Sequence, residues 1–197
     1  MKLLISSNNK HKVEEIKAIL APYFSQIQTL RDAGIDADVE ETGETFAENA
    51  AIKAHAILAL ADADAVLADD SGLMVDALGG APGVYSARFA GEGHDDMANN
   101  AKLLDVMRDV LPAQRTCRFV TSVCLSRRGK EDVCASGEVE GELLSAPQGK
   151  NGFGYDPLFY YEPFAKTFAQ LTPEEKNAVS HRKRALTALC EKLDAAH

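Results

Sequence analysis

VLADDSGLMVDALGGAPG, Val66 to Gly83, opens on an apolar run that suits a buried strand and passes into two adjacent carboxylates, Asp69 and Asp70, then Ser71 and Gly72. The pattern predicts a strand end carrying acid groups, a place where rigid elements hold acid/base or metal-ligating side chains against a substrate. Gly79-Gly80-Ala81-Pro82-Gly83 follows, with no side chain large enough to fill space, so it serves chain direction or close approach to a ligand.

Upstream, Leu3, Leu4 and Ile5 form a short apolar run, and Val13, Ile16, Ile19 and Leu20 recur at helical spacing until Ala21-Pro22. Between them Ser7-Asn8-Asn9-Lys10-His11-Lys12 reads as a polar loop with three cations, leading into a helix N-terminus whose N–H groups and dipole favour anions. It lacks the two glycines and the Lys-Ser/Thr pair of a Walker A loop, and a solvated turn is the competing reading. Ile27–Leu30 and Ile35–Val39 are weak strand candidates. Glu40-Glu41-Thr42-Gly43 then heads a long helical pattern, with Thr45 as N-cap, Glu48 as its capping-box partner, and Phe46, Ile52, Ile57 and Leu60 along an apolar face. Taken locally, Glu40 and Glu41 complement the helix dipole and Lys53 is a solvated helical lysine.

Downstream, Arg88 and Phe89 lie in a Gly-flanked loop. A helix starts at Asp95 or Asp96 with Met97, Leu103, Leu104, Met107, Val110 and Leu111 on one face, the methionines as core. Thr116 to Leu125 reads as a strand covered on both faces, Arg127 to Lys130 as a turn, and Asp132 to Leu144 as the hairpin partner, weakened by Gly137 and Gly141. In Lys150 to Pro157, aromatics alternate with glycines and present flat faces beside exposed backbone, as stacking a planar base and reading its edge requires, with Asp156 as an acceptor. A structural turn with two core aromatics is the alternative. Thr172-Pro173-Glu174-Glu175 marks a helix start. A continuous helix would turn His181 and Arg182 away from Lys176, so the spacing predicts a break at Ser180, with His181 and Arg182 in the first turn of a second helix.

A chain of 197 residues, 46% hydrophobic and 26% charged, is expected to form one soluble two-lobed domain over residues 1–197. Its formal charge of -9 argues against a surface that tracks a nucleic-acid backbone, though not against a small phosphate ligand met by a few placed cations. Cys117, Cys124, Cys134 and Cys190 show no zinc-binding spacing. No export or membrane-spanning pattern appears, and the expectation is a cytoplasmic protein with reduced thiols, bound to neither membrane nor nucleic acid.

Together, several passages resemble one family, the inosine triphosphate pyrophosphatases, also called RdgB-like or non-canonical purine NTP pyrophosphatases. They are Ser7 to Lys12, Glu40-Glu41-Thr42-Gly43, Ala68-Asp69-Asp70-Ser71-Gly72-Leu73, Leu78 to Gly83 with Tyr85-Ser86-Ala87-Arg88, Gly152 to Pro157, and Glu175 to Arg182, in family order across nearly the whole chain. The resemblance implies an α/β fold, an elongated mixed β-sheet flanked by helices with two lobes and a central cleft. It implies hydrolysis of ITP, dITP and XTP to the monophosphate and pyrophosphate, with Mg2+, in a homodimer. Carried over, Ser7, Asn8, Asn9, Lys10, His11, Lys12 and Lys53 would hold phosphates, and Glu40 and Asp70 the metal. Asp70 would accept the proton, and Ser71 would touch substrate. Phe153, Gly154, Tyr155, Asp156, Lys176, His181 and Arg182 would form the nucleoside and base pocket. The family usually has Thr-Gly-Asn where this chain has Ser7-Asn8-Asn9, and asparagine tolerates left-handed backbone.

Magnesium is usually held by one or two carboxylates plus substrate phosphates, which agrees with Glu40 and Asp70. An aspartate of ordinary pKa, about 3.9, is a poor base toward bulk water, so Asp70 needs that water acidified by the metal or neighbouring charge; the roles of Asp69 and Glu41 stay open. Hypoxanthine offers a carbonyl where adenine offers an amine, so a donor from Lys176, His181 or Arg182 would favour it. The alternatives are a Maf-like pyrophosphatase acting on modified or pyrimidine nucleotides, and a catalytically silent nucleotide-binding module.

Overall fold

The computed structural model describes residues 2–195. In chain order the elements are β1 (Lys2–Ser6), α1 (Lys10–Leu20), β2 (Gln26–Thr29), α2 (Phe46–Leu60), β3 (Ala65–Val75), α3 (Asp96–Val106), β4 (Thr116–Arg127), β5 (Val133–Leu143), β6 (Phe159–Tyr161), β7 (Lys166–Thr167), α4 (Pro173–Val179) and α5 (His181–Asp194), with short 3-10 turns between. The strands form one mixed sheet in the order β2-β1-β3-β4-β5-β6-β7. β1 pairs in parallel with β2 and β3, whereas β5, β6 and β7 pair antiparallel. Side-chain contacts Ser122–Ser136 and Cys124–Cys134 fix the β4–β5 hairpin in antiparallel register. This is the mixed sheet with flanking helices expected from the sequence.

The chain divides into two compact units. The first takes residues 2–70, 121–137 and 181–195. Strand alternation gives it two apolar faces. Leu3, Ile5, Leu67, Val123 and Leu125 pack with Ile16 and Leu20 of α1 and Leu186, Leu189 and Leu193 of α5. On the opposite face Leu4 and Val66 meet Ile57 of α2, and Ala68 and Cys124 meet Ala50 and Ala54. At Gly137 the β5 backbone lies close against α5: a Cβ there would lie 2.3 Å from the Ala185 backbone nitrogen.

The second unit takes residues 71–120 and 138–180. Its core gathers Leu73, Val75, Leu103, Met107, Phe119, Leu158, Phe159 and Phe168, with the Phe119 and Phe159 rings 4.6 Å apart and Phe159 and Phe168 4.7 Å apart. Arg115 is buried, its guanidinium donating to the carbonyls of Leu143 (2.8 Å) and Met107 (2.7 Å).

Several expectations change. β3 does not end at the carboxylates but runs through them to Val75; the acid pair is met mid-strand by Lys12 and Arg182 on one face and by Asn49 and Lys53 on the other. The polar loop shortens to Ser7–Asn9, since Asn9 caps α1 and the cations fall within its first turn. Ile35–Val39 forms no strand. α3 stops at Val106, and Met97 (83%) and Leu111 (65%) are exposed, Met97 in the first turn and Leu111 beyond the helix ahead of Pro112. Leu60, in the last turn of α2, is likewise 65% exposed. The capping boxes at Thr45–Glu48 and Thr172–Glu175 and the break at Ser180 are as expected.

Candidate active site

Asp69 and Asp70, consecutive in β3, project to opposite faces of the strand. Asp69 turns toward α1 and α5. The Lys12 ammonium lies 3.0 Å from its Oδ2 and the Arg182 Nε 3.5 Å from the same atom, and Glu15 takes a second nitrogen of Arg182. The cap of α1 sets this up: Asn9 Oδ1 accepts from the His11 and Lys12 backbone N–H groups (3.0 and 3.2 Å), and Asn9 N–H donates to Ser7 Oγ at 3.2 Å. Lys12 is thereby the third residue of α1. Burial alone would push the Asp69 carboxyl up, but Lys12, Arg182 and Lys53 together hold it far below the usual carboxylate range. Burial pulls the Lys12 ammonium down against the pull of Asp69. For Arg182 burial is outweighed by Asp69 and Glu15, which keep it charged.

Asp70 turns toward α2. Its Oδ2 accepts from Asn49 Nδ2 at 3.0 Å, and the Lys53 ammonium lies 3.9 Å from its Oδ1 while donating to Glu41 Oε1 at 2.7 Å. Asn49 and Lys53 are four residues apart on α2 and so share a face. Asn49 Oδ1 accepts from Gly43 N–H at 2.8 Å, where any Cβ would sit 2.7 Å from that same oxygen. Burial raises the Asp70 carboxyl above its ordinary value; Lys53 opposes this, and Glu41 reinforces it. Burial also works against the Lys53 charge, but Asp70, Asp69 and Glu41 outweigh it and leave the ammonium raised. The two carboxylates are thus electrostatically distinct: Asp69 is neutralised by cations, Asp70 only partly so.

The aromatic loop lies in the second unit. Asp156 is 2% exposed; its Oδ2 accepts from Phe153 N–H (2.9 Å) and from the Lys176 ammonium (2.6 Å). That ammonium stands 4.5 Å from the Phe153 ring centroid. Gly152, at φ +75°, permits the turn, since a Cβ would fall 2.0 Å from Asp156 Oδ2. α3 clamps Gly154 from outside: Asp96 Oδ2 accepts its N–H at 2.7 Å and Asn100 Nδ2 donates to its carbonyl at 2.8 Å.

The expected residues therefore fall into two groups. Ser7 to Lys12, Glu40, Lys53, Asp70, His181 and Arg182 belong to the first unit, and Ser71, Phe153 to Asp156 and Lys176 to the second. Asn8, Lys10 and His11 are exposed and Ser7 is half-buried. Glu40 is exposed, and Glu41 is the neighbour that joins the Lys53–Asp70 group. Two side chains depart from the roles read in the sequence. Tyr155 is packed in the core with its hydroxyl donating to the Ser86 carbonyl at 2.8 Å, so Phe153 is the ring with a half-buried face. Arg182 is fully buried against Glu15 and Asp69, which directs its donors at carboxylates rather than at a base edge. Sequence reasoning missed Asn49, Glu15, Asp96 and Asn100. The available signal was an amide one turn before Lys53, and an acid three residues after Lys12, in otherwise amphipathic helices.

Residues 3–192 match the model of the Ham1 family. The chain is 48% identical over 197 residues to a dITP/XTP pyrophosphatase of Clostridium perfringens (98% of this chain, 97% of that one) and 46% identical over 192 residues to one of Bacillus subtilis (98% and 96%). Among solved structures it is similar to the Staphylococcus aureus Ham1 protein, with a TM-score of 0.88 and 41% identity over 100% of both chains. A nucleoside-triphosphatase / dITP/XTP pyrophosphatase from Mycobacterium abscessus superposes with a TM-score of 0.77 and 43% identity, covering 96% of this chain and 98% of that one.

Proposed function

The chain belongs to the Ham1 family, and on that premise we propose that it hydrolyses the α–β phosphoanhydride of dITP, XTP and ITP to the nucleoside monophosphate and pyrophosphate, removing deaminated purines from the nucleotide pool. The observation that carries this reading is the placement of Asp70: a buried carboxylate that accepts from Asn49 Nδ2 at 3.0 Å with the Lys53 ammonium 3.9 Å away, and whose carboxyl burial raises above its ordinary value. A raised base takes a proton from an attacking water more readily than an aspartate near pKa 3.9.

Asp70 orients the water and accepts its proton. Lys53 supplies positive charge beside the transferred group, where preorganised cations lower the barrier most. The start of α1, with Ser7, Asn8, Lys10 and His11 and the positive end of its dipole, takes phosphate oxygens; Asn9 and Lys12 act through the cap and through Asp69. The donor set fits Mg2+, being hard carboxylate oxygen from Asp70 and from Glu40 or Glu41. Among the described residues no three His, Cys, Asp or Glu side chains gather as a metal site, and an ion completed by substrate phosphates needs no such cage. When bound, Mg2+ supplies Lewis-acid neutralisation of phosphate charge and acidification of water. Phe153 offers a ring face to the base, and Lys176, with three ammonium donors, rewards a carbonyl over an amine. We place the protein in the cytoplasm, as its four free thiols suggest, and assign it a homodimeric state.

The test is a panel of ITP, XTP, dITP, ATP and GTP with Mg2+ and product identification. Pyrophosphate and monophosphate from the first three, at rates well above those for ATP and GTP, is the expected result. Orthophosphate with diphosphate, or equal rates on ATP and ITP, would sink the reading, and a preference for modified pyrimidine nucleotides would favour the Maf-like alternative.

A further inference from the structure

Across the β4–β5 hairpin two cysteine sulfurs face each other at 3.0 Å, Cys124 from β4 and Cys134 from β5. Both are free thiols, and they differ in access: Cys134 is exposed, whereas Cys124 is completely buried beneath α2, in a small cluster with Ala50, Ala54 and Ala68. Neither residue takes part in the carboxylate and lysine chemistry of the candidate site. A disulfide needs its sulfurs at about 2.05 Å, so the pair lies about 1 Å from bonding distance. The antiparallel register holds it there, with Ser122 and Ser136 hydrogen-bonded at 2.8 Å two residues along the ladder on the same face.

We propose that Cys134 and Cys124 form a thiol–disulfide exchange site for low-molecular-weight disulfides such as glutathione disulfide, Cys134 being the attacking thiol and Cys124 the resolving one. In the first step the Cys134 thiolate attacks one sulfur of the small disulfide, breaks its S–S bond and expels one small thiolate. In the second, the Cys124 thiolate attacks the Cys134 sulfur, breaks the mixed disulfide and expels the other small thiolate. Two protein thiols are oxidised, one small disulfide is reduced to two thiols, and the two protons lost by the protein end on the leaving thiolates. Access dictates the order, because a reagent in solution reaches only Cys134. Burial pushes the Cys124 thiol upward, which makes resolution the slower step and lets the mixed disulfide accumulate transiently.

The full chain is incubated with glutathione disulfide, quenched with acid, and read by intact mass and non-reducing peptide mapping. The expected course is one glutathione adduct on Cys134 giving way to a product short of two hydrogens, with the Cys124 and Cys134 peptides linked and dithiothreitol restoring the starting mass. Cys124→Ala, which matches the alanines around it, and Cys124→Ser should both stop at the glutathione adduct. Cys134→Ser should leave Cys124 unmodified. The proposal is overturned if the wild type ends at the adduct, if Cys134 stays unmodified while a maleimide labels it, or if Cys134→Ser leaves adduct formation on Cys124 unchanged. Because the readout is mass, its outcome is independent of the nucleotide panel.

Discussion

Asp69 and Asp70 are consecutive residues whose charges are balanced differently, and substitution should separate them. Asp69 neutralises Lys12 and Arg182 inside the first unit. Asp69→Asn leaves two buried cations short of a carboxylate, a loss of about 3–5 kcal/mol by the usual cost of breaking a buried ion pair. A urea midpoint well below wild type is expected, whatever happens to activity. At Asp70 the raised carboxyl means that the ionised form is less comfortable folded than unfolded. Asp70→Asn keeps an acceptor for Asn49 and removes that penalty, so the midpoint should hold or rise while turnover falls by about 10²–10⁴, the usual worth of a general base. Nucleotide binding, measured by calorimetry, should persist. Equal destabilisation by both changes would refute the division between a structural and a catalytic carboxylate.

Among the elements, α3 and the β4–β5 hairpin carry the clearest consequences. Asn100 and Asp96 hold both sides of the Gly154 peptide, and through that loop the position of Phe153 is set. Asn100→Ala should therefore raise KM for ITP several-fold, with kcat within about threefold of wild type, since an interaction serving ground and transition states alike alters KM alone. In the hairpin turn Asp132 accepts from Ser126 Oγ at 2.7 Å and pairs with His55 Nε2 at 2.6 Å. Burial pushes its carboxyl up, but those partners outweigh burial and hold it below the usual range. A depressed carboxyl gives stability that is present above the unfolded value of about 3.9 and is lost as pH falls through the folded one. Asp132→Asn should lower the melting temperature at pH 7, where that contribution is present, and flatten its decline between about pH 5 and pH 3, so that variant and wild type converge at low pH. Legibility followed locality. The Thr45 and Thr172 caps and the break at Ser180 were readable because neighbouring residues decide them. The length of β3 was not, because DDSG reads as a loop until Lys12, Arg182, Asn49 and Lys53 are brought in from distant parts of the chain. The place of Tyr155 was open for a similar reason: an alternation of Gly and aromatics does not tell a stacking face from a core ring.

At the scale of the whole molecule, the two units are interleaved along the sequence rather than joined end to end. The first is opened by residues 2–70, resumed by the hairpin and closed by α5. The fold family and the chemistry were legible in the ordered motifs, and two lobes were expected, yet the positions of the boundaries were not legible, since no linker composition marks them and β3, β4 and β5 each run through one. The closing helix carries a measurable consequence. It places Leu186, Leu189 and Leu193 in one core with Leu3, Ile5, Ile16 and Leu67, and at about 1.5–3 kcal/mol for each leucine buried the three supply on the order of 5–9 kcal/mol. Domain stabilities run to about 5–15 kcal/mol. Ending the chain at Ser180 also removes Arg182 from Glu15 and Asp69, taking the guanidinium from two carboxylates inside the unit and leaving Lys12 and Lys53 to balance Asp69. Such a chain should lose amide-exchange protection in β1, α1 and the buried part of β3, and should show no cooperative melt from those segments. Gly137→Ala tests the same docking without truncation, because its Cβ meets α5 backbone that has no side-chain freedom with which to yield. The same segments should lose protection, to a smaller degree. Wild-type protection of β1 and α1 in both variants would mean that α5 does not close the first unit.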